Sequence, residues 1–170
     1  TSGPGFSLMQ EFIGLASMCE LPVVIIDVQR CGPSTGMPTK TEQADLMQAL
    51  YGTHGEVPRI VLAPSDVEDC FYQTINAFNL SERCQMPVIV LSEQALGHRR
   101  QNFKKPNLSQ IKIESRLKAE GIPGEEFMRF KTTESGVSQT SIPGMPGLQY
   151  TASGVEHDEA GELCYDPENR

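Results

Sequence analysis

The sequence is short of positive charge. Across 170 residues, 14 Lys and Arg stand against 22 Asp and Glu, a net charge of -8. A general nucleic-acid binder carries a basic footprint, so that class is disfavoured. No apolar run approaches the roughly 18 residues a membrane span needs, and no secretory leader pattern opens the chain. Neither nucleic acid nor membrane is expected as a partner. None of the five cysteines, Cys19, Cys31, Cys70, Cys84 and Cys164, stands in a CxxC pair. That removes zinc ribbons and Cys-only iron–sulfur motifs. An odd number of scattered thiols fits a reducing, cytoplasmic setting better than a disulfide framework. His54, His98 and His157 lack HExxH spacing, Gly-x-Ser-x-Gly is absent, and no Gly-Lys-Ser/Thr follows the opening glycines, so no zincin, hydrolase elbow or Walker motif is written here. His157, in Glu156-His157-Asp158-Glu159, is compatible with a metal, but an exposed acidic loop is the favoured reading.

What is present is a chain with 38% hydrophobic residues, enough for the core of about one domain. Residues 6–19 read as a helix with two apolar stripes, Phe6-Met9-Ile13-Ala16 and Leu8-Phe12-Leu15-Cys19. Two stripes predict burial on most of its surface. Residues 22–28 form a β-branched run, apolar on both faces, as in the central strand of a parallel sheet. A loop of Gly, Pro, Ser and Thr follows to Lys40. A second helix is expected over 41–51, with Thr39 to Glu42 as its capping box. Further strands are expected at 59–62 and 87–91. Between them lies a helix opened by the box Ser65 to Glu68 and carrying the stripe Val67, Phe71, Ile75 and Phe78. Helices alternating with apolar strands define an α/β fold, an open and mostly parallel sheet with flanking helices. Three strands are few for such a sheet, so the fold is expected to be incomplete at the N-terminus and the chain to be a fragment of a longer polypeptide.

The composition changes after His98. Nine of the 14 basic residues lie between Arg99 and Lys131, and Gly, Pro, Ser and Thr dominate beyond Gly121. Residues 1–98 are expected to form the α/β domain. Residues 99–170 are expected to form an extended arm that leads to a missing C-terminal domain and wraps a partner or a following domain.

Three places hold candidate chemistry. Thr1-Ser2-Gly3-Pro4-Gly5 lies ahead of a helix; glycines there either admit a ligand close to backbone N–H groups or simply make a tight strand-to-helix turn. Gln29 to Thr39 follows the C-terminal end of a strand, where open α/β sheets place their ligands. Arg30 there offers a planar fork for a carboxylate, or pairs with a local acid; Thr39 offers a hydroxyl, or caps a helix. Asp27 sits within the apolar strand. It either needs a partner or a raised pKa, or marks the strand's end and bonds to the loop's N–H groups, which is the favoured reading.

These stretches resemble a known family. Thr1-Ser2-Gly3-Pro4-Gly5-Phe6-Ser7-Leu8-Met9, followed by a helix and an apolar strand, resembles the pyrimidine-binding domain of thiamine-diphosphate enzymes; a similar TSGPG turn occurs in the acetolactate-synthase branch. Gln29 to Thr39 resembles the QRGGPSTGxPT signature of the alpha subunit of 2-oxoacid:ferredoxin oxidoreductases, especially the 2-oxoglutarate type. Ser138 to Gly147, Tyr150 to His157 and Tyr165-Asp166-Pro167 fit the same family, so the resemblance covers essentially the whole chain.

The resemblance implies oxidative decarboxylation of a 2-oxoacid, with coenzyme A as acyl acceptor and ferredoxin as electron acceptor. Thiamine diphosphate with Mg2+ would lie between two subunits, and a beta-type partner would supply the diphosphate site and an iron–sulfur cluster. Arg30 and Thr39 match the positions that recognise the 2-oxoacid, while Gly3, Pro4 and Gly5 would lie on the cofactor side. No residue is assigned as catalytic acid or base, because the family's cofactor-activating glutamate lies upstream of the TSGPG motif, so the fragment alone is expected to be inactive. Pyruvate or branched-chain 2-oxoacids are the alternative substrates, and an inactive docking module on the same fold is the alternative function. Cys31 stands where the family signature has Gly. If that position needs φ > 0 the cysteine is strained, and a thiol beside Arg30 would make the loop sensitive to oxidation.

Overall fold

The computed structural model describes residues 1–121 and 125–169. The strands form where the β-branched runs stand: β1 is Val23–Gln29, β2 is Ile60–Leu62 and β3 is Pro87–Glu93. They pair in parallel in the order β1-β3-β2, in register from Val23 opposite Pro87 to Gln29 opposite Glu93. The centre therefore belongs to β3, and not to β1 as its two apolar faces suggested. Val88, Ile89, Val90 and Leu91 are all buried, whereas Ile26 of β1 is 41% exposed. Along the outer edge of β1 runs the backbone of Thr1, whose N–H donates to the Ile26 carbonyl and whose carbonyl accepts from Val28 N–H.

Among the described residues five α-helices pack around the sheet: α1 Gly3–Leu8, α2 Gln10–Met18, α3 Leu46–Tyr51, α4 Val67–Cys84 and α5 Gln94–His98. The helix expected over 6–19 is thus two helices that meet at Met9. Its first turn already contains Gly3, Pro4 and Gly5, because proline's fixed φ suits a helix start. Phe6, Ile13, Ala16 and Cys19 are buried, but Leu8 is 83% and Phe12 65% exposed, so the expected all-round burial is not met by this chain. One core joins Phe6, Ile13 and Ala49 to Ile25, Ile89 and Leu91 of the sheet. The other places Ala77 of α4 on Val88 and Val90.

The capping predictions fared unequally. Residues 41–45 are not helical, because Glu42 gives its carboxylate to the Gly32 N–H at 2.9 Å instead of capping. At α4 the cap falls one residue later than expected, on Asp66, and the returning bond goes to the residue before it. Asp66 accepts from Asp69 N–H at 3.0 Å, and Asp69 accepts from Ser65 N–H at 2.8 Å. The face of α4 that packs is built on Ala77 and Ser81, whose small side chains allow close approach, and Phe78 is left outside.

Beyond His98 the described residues hold one short 3-10 turn, Leu108–Gln110, and isolated bridges. This segment folds back on its own α/β body. Arg129, fully buried, reaches Glu20 after α2 and Gln85 after α4. His157 is half-buried, bonded to the Met18 carbonyl at 3.0 Å and packed on the Phe130 ring at 4.0 Å. It therefore serves packing instead of sitting in an exposed loop. No helix among the described residues is long and apolar enough to cross a membrane.

Candidate functional site

The loop after β1 owes its shape to two left-handed residues. Cys31 N–H donates to the Lys40 carbonyl at 2.9 Å, and Met37 N–H closes on the Cys31 carbonyl at 3.0 Å. Gly36, at φ +57°, makes that turn possible, since a Cβ there would stand 2.0 Å from the Cys31 carbonyl oxygen. Ser34 is the other left-handed residue, at φ +57°. Cys31 is not among the residues with positive φ, so the cysteine in place of glycine carries no backbone strain. Burial and the neighbouring Glu42 carboxylate push its thiol up. A scarcer thiolate opposes the expected oxidation sensitivity.

The loop leans on α1 and encloses a cavity of about 170 Å³ with Gly3, Pro4, Ser7, Asp45 and Gln48. Arg30 reaches into its wall. One guanidinium nitrogen donates to the Thr35 carbonyl at 3.3 Å, and Nε is buried with no partner. A half-buried guanidinium with an unused donor is chemically suited to an oxyanion. The Gln48 amide donates to the Ser7 hydroxyl at 2.7 Å, which stiffens the opposite wall. The fold thus brings Gly3, Pro4 and Arg30 around one space. Gly5 does not line that space and sits against Thr1. Thr39 is exposed on the returning leg of the loop, outside the cavity.

Asp27, on β1, is fully buried, and neither of its carboxylate oxygens meets a donor. The expectation that it would bond to the loop's N–H groups is therefore corrected: those groups bond to carbonyls and to Glu42. Asp27 faces Asp45 instead, and burial together with that carboxylate raises its pKa to about 7. Asp45 escaped the sequence reading because it lay inside an expected helix. A larger hollow of about 690 Å³ lies between α4 and residues 113–118, where Glu82 and Arg116 already satisfy each other through bonds of 2.8 and 2.9 Å.

An α/β scaffold whose strand-end loop and glycine turn enclose a small polar cavity has the form of a ligand-binding domain. The family model described as pyruvate flavodoxin/ferredoxin oxidoreductase, thiamine diphosphate-binding, matches residues 1–170, and the chain belongs to that family. It is 45% identical over 161 residues to 2-oxoglutarate synthase subunit KorA of Methanothermobacter thermautotrophicus, covering 95% of this chain and 42% of that protein. It is 44% identical over 171 residues to 2-oxoglutarate oxidoreductase subunit KorA of Mycobacterium tuberculosis, covering 99% of this chain and 26% of that protein. The fold superimposes with a TM-score of 0.94 and 44% identity on 2-oxoglutarate:ferredoxin oxidoreductase from Magnetococcus marinus, solved with 2-oxoglutarate, coenzyme A and succinyl-CoA bound. That match covers 99% of this chain and 29% of that one. The chain therefore spans well under half the length of these relatives.

Proposed function

We propose that this chain is part of the alpha subunit of a 2-oxoacid:ferredoxin oxidoreductase that decarboxylates 2-oxoglutarate, passes the acyl group to coenzyme A and the electrons to ferredoxin. The observation that carries the reading is the meeting of Arg30 with the Gly3-Pro4 turn around one cavity, on a fold shared at 44% identity with a 2-oxoglutarate:ferredoxin oxidoreductase. The cavity, about 170 Å³, is smaller than the roughly 300 Å³ at which sites for whole drug-sized ligands begin. It suits a small oxoacid, and Gly3 and Pro4 are the residues that would face thiamine diphosphate. When bound, thiamine diphosphate supplies the electron sink for decarboxylation.

The chain's own part is positioning. Arg30 holds a substrate carboxylate through its unused Nε donor. Thr39, exposed on the same loop, offers its hydroxyl to a substrate oxygen from the open side. Gly3 and Pro4 form the backbone wall toward the cofactor, with Gly5 behind them in the same turn. A beta-type subunit supplies the diphosphate and Mg2+ contacts and the iron–sulfur cluster. Residues 1–98 serve as the pyrimidine-side domain and 99–170 as the arm that leads onward. The assembly works in the cytoplasm.

The test compares coenzyme-A-dependent ferredoxin reduction by the assembled enzyme, with 2-oxoglutarate and with pyruvate, in wild type and Arg30→Ala. The expected result is a preference for 2-oxoglutarate and a loss in kcat/KM on the order of 2–5 kcal/mol in the variant. Unchanged activity would remove Arg30 from substrate recognition. No turnover of any 2-oxoacid in a properly assembled, anaerobic complex would favour the docking-module alternative.

A further inference from the structure

Asp27 is the one acidic residue of β1, and the fold buries it completely. Both of its carboxylate oxygens lack a donor, and so does the buried Oδ2 of Asp45. Asp45 occupies the N-cap of α3, where an aspartate side chain ordinarily accepts a helix N–H. Here it makes no such bond. The backbone explains why. Asp45 N–H is held at 3.0 Å by the Gln29 side-chain oxygen, and the Gln29 amide is tied at 3.0 Å to the Ser92 carbonyl at the end of β3. This clamp fixes the start of α3 against the sheet. The Asp45 carboxyl meets Asp27 on one side. On the other it backs α1, where a Cβ on Gly3 would lie 3.2 Å from its oxygen. Asp45 also lines the cavity that holds Arg30.

Two facing carboxyls with no other donor on the Asp27 oxygens have one favourable arrangement: one carboxyl keeps a proton and donates it to the other. We propose that Asp27 and Asp45 share a single proton, and that the single negative charge they leave at the Asp45 wall of the cavity makes them positioning residues for an anionic substrate held by Arg30. The proposal rests on the 2-oxoacid reading above. With one charge on the pair, Arg30 stays free to attract a substrate carboxylate. With two, the added charge near the Asp45 wall competes for Arg30 and repels the substrate.

The groups facing Asp27 agree with this. Burial, and then Asp45 from α3, raise its pKa. β3 presents Leu91 opposite Asp27, and α1 carries no ionisable side chain. Arg30 follows β1 on the cavity wall, with Cys31 beside it and Glu42 bonded to Gly32 further along the loop. The proton held by Asp27 leaves near pH 7. Below that pH the pair bears one charge and above it two, so substrate binding weakens as pH rises through neutrality.

The assembled enzyme tests this in two ways. In wild type, KM for 2-oxoglutarate should rise roughly tenfold from acid to alkaline pH through the added charge, with kcat changing less. Asp27→Asn never takes a second charge and its amide donates to Asp45, so KM should lose that dependence. Asp45→Asn should flatten it too, which separates shared charge from a folding defect of one variant. Infrared titration without substrate should find a protonated carboxyl band that disappears near neutral pH and is missing in Asp27→Asn. Absence of that band in wild type, or an unchanged KM profile in Asp27→Asn, overturns the proposal. A titrating band in an enzyme that turns over no 2-oxoacid upholds the shared proton and overturns the substrate reading instead.

Discussion

Replacing Arg129 with Met should release the 126–160 region from the α/β body while leaving the sheet intact. The Arg129 side chain is 1% exposed, and one of its nitrogens lies 2.6 Å from a Glu20 carboxylate oxygen. It also donates to the Ser138 hydroxyl, to the Gln85 side-chain oxygen at 2.7 Å and to the Glu20 carbonyl at 3.1 Å. Its guanidinium stands over the Phe130 and Tyr150 rings, 5.1 and 5.6 Å from their centroids. Met keeps most of the volume but none of the donors. Breaking a buried ion pair from one side costs about 3–5 kcal/mol. The Glu20 side chain is 33% exposed and regains water, which places its share at the lower end. The buried Gln85 oxygen, left without a donor, adds about 1–3 kcal/mol. The sum is about 4 kcal/mol of local opening energy, or a rise of nearly a thousandfold in amide exchange at about 1.4 kcal/mol per tenfold. Hydrogen exchange of the enzyme should read this at Phe130, Ala119 and Thr140, whose N–H groups bond to Glu159, Thr140 and Leu117 at 2.8 Å. Amides of β3 should keep their protection. Exchange unchanged at those three positions would refute the view that Arg129 pins the segment.

Other outcomes follow from the loop. Gly36→Ala forces a side chain into a φ of +57° and against the Cys31 carbonyl. It should cost the loop about 1–3 kcal/mol, raising KM for the 2-oxoacid with little change in melting temperature; wild-type kcat/KM would show that the loop's shape is not needed. Cys31, its thiol pushed up by burial and by Glu42, should react with iodoacetamide at pH 8 more slowly than a free thiol, and Glu42→Gln should speed it. A Cys31 faster than free cysteine would revive the oxidation-sensitive loop.

Much of this was legible in the chain. The β-branched runs at 22–28, 59–62 and 87–91 became strands within a residue or two, because short apolar runs opened or preceded by Pro have few other stable forms. The Gln29–Thr39 loop was readable as the functional stretch because it follows a strand's C-terminal end. Other features were not legible, each for a physical reason. Which strand is central depends on where α4 returns the chain. The box at Thr39 to Glu42 failed because its glutamate is claimed by Gly32 on the other side of the loop. Arg129 was one of nine similar basic residues, and only the seat formed by Glu20 and Gln85, both left-handed at φ 49° and 50°, distinguishes it.

By itself, then, the sequence determined the elements, the fold class, the family and the loop that bears Arg30, because these depend on local periodicity and short motifs. The tertiary structure alone decided which groups meet. It set Asp45 against Asp27 across the loop, left Arg30 with a free donor at a cavity and drew Arg129 under the body. Charge and hydrogen-bond partners come from segments far apart in the chain, and a carboxylate's protonation follows its neighbours rather than its place in the sequence.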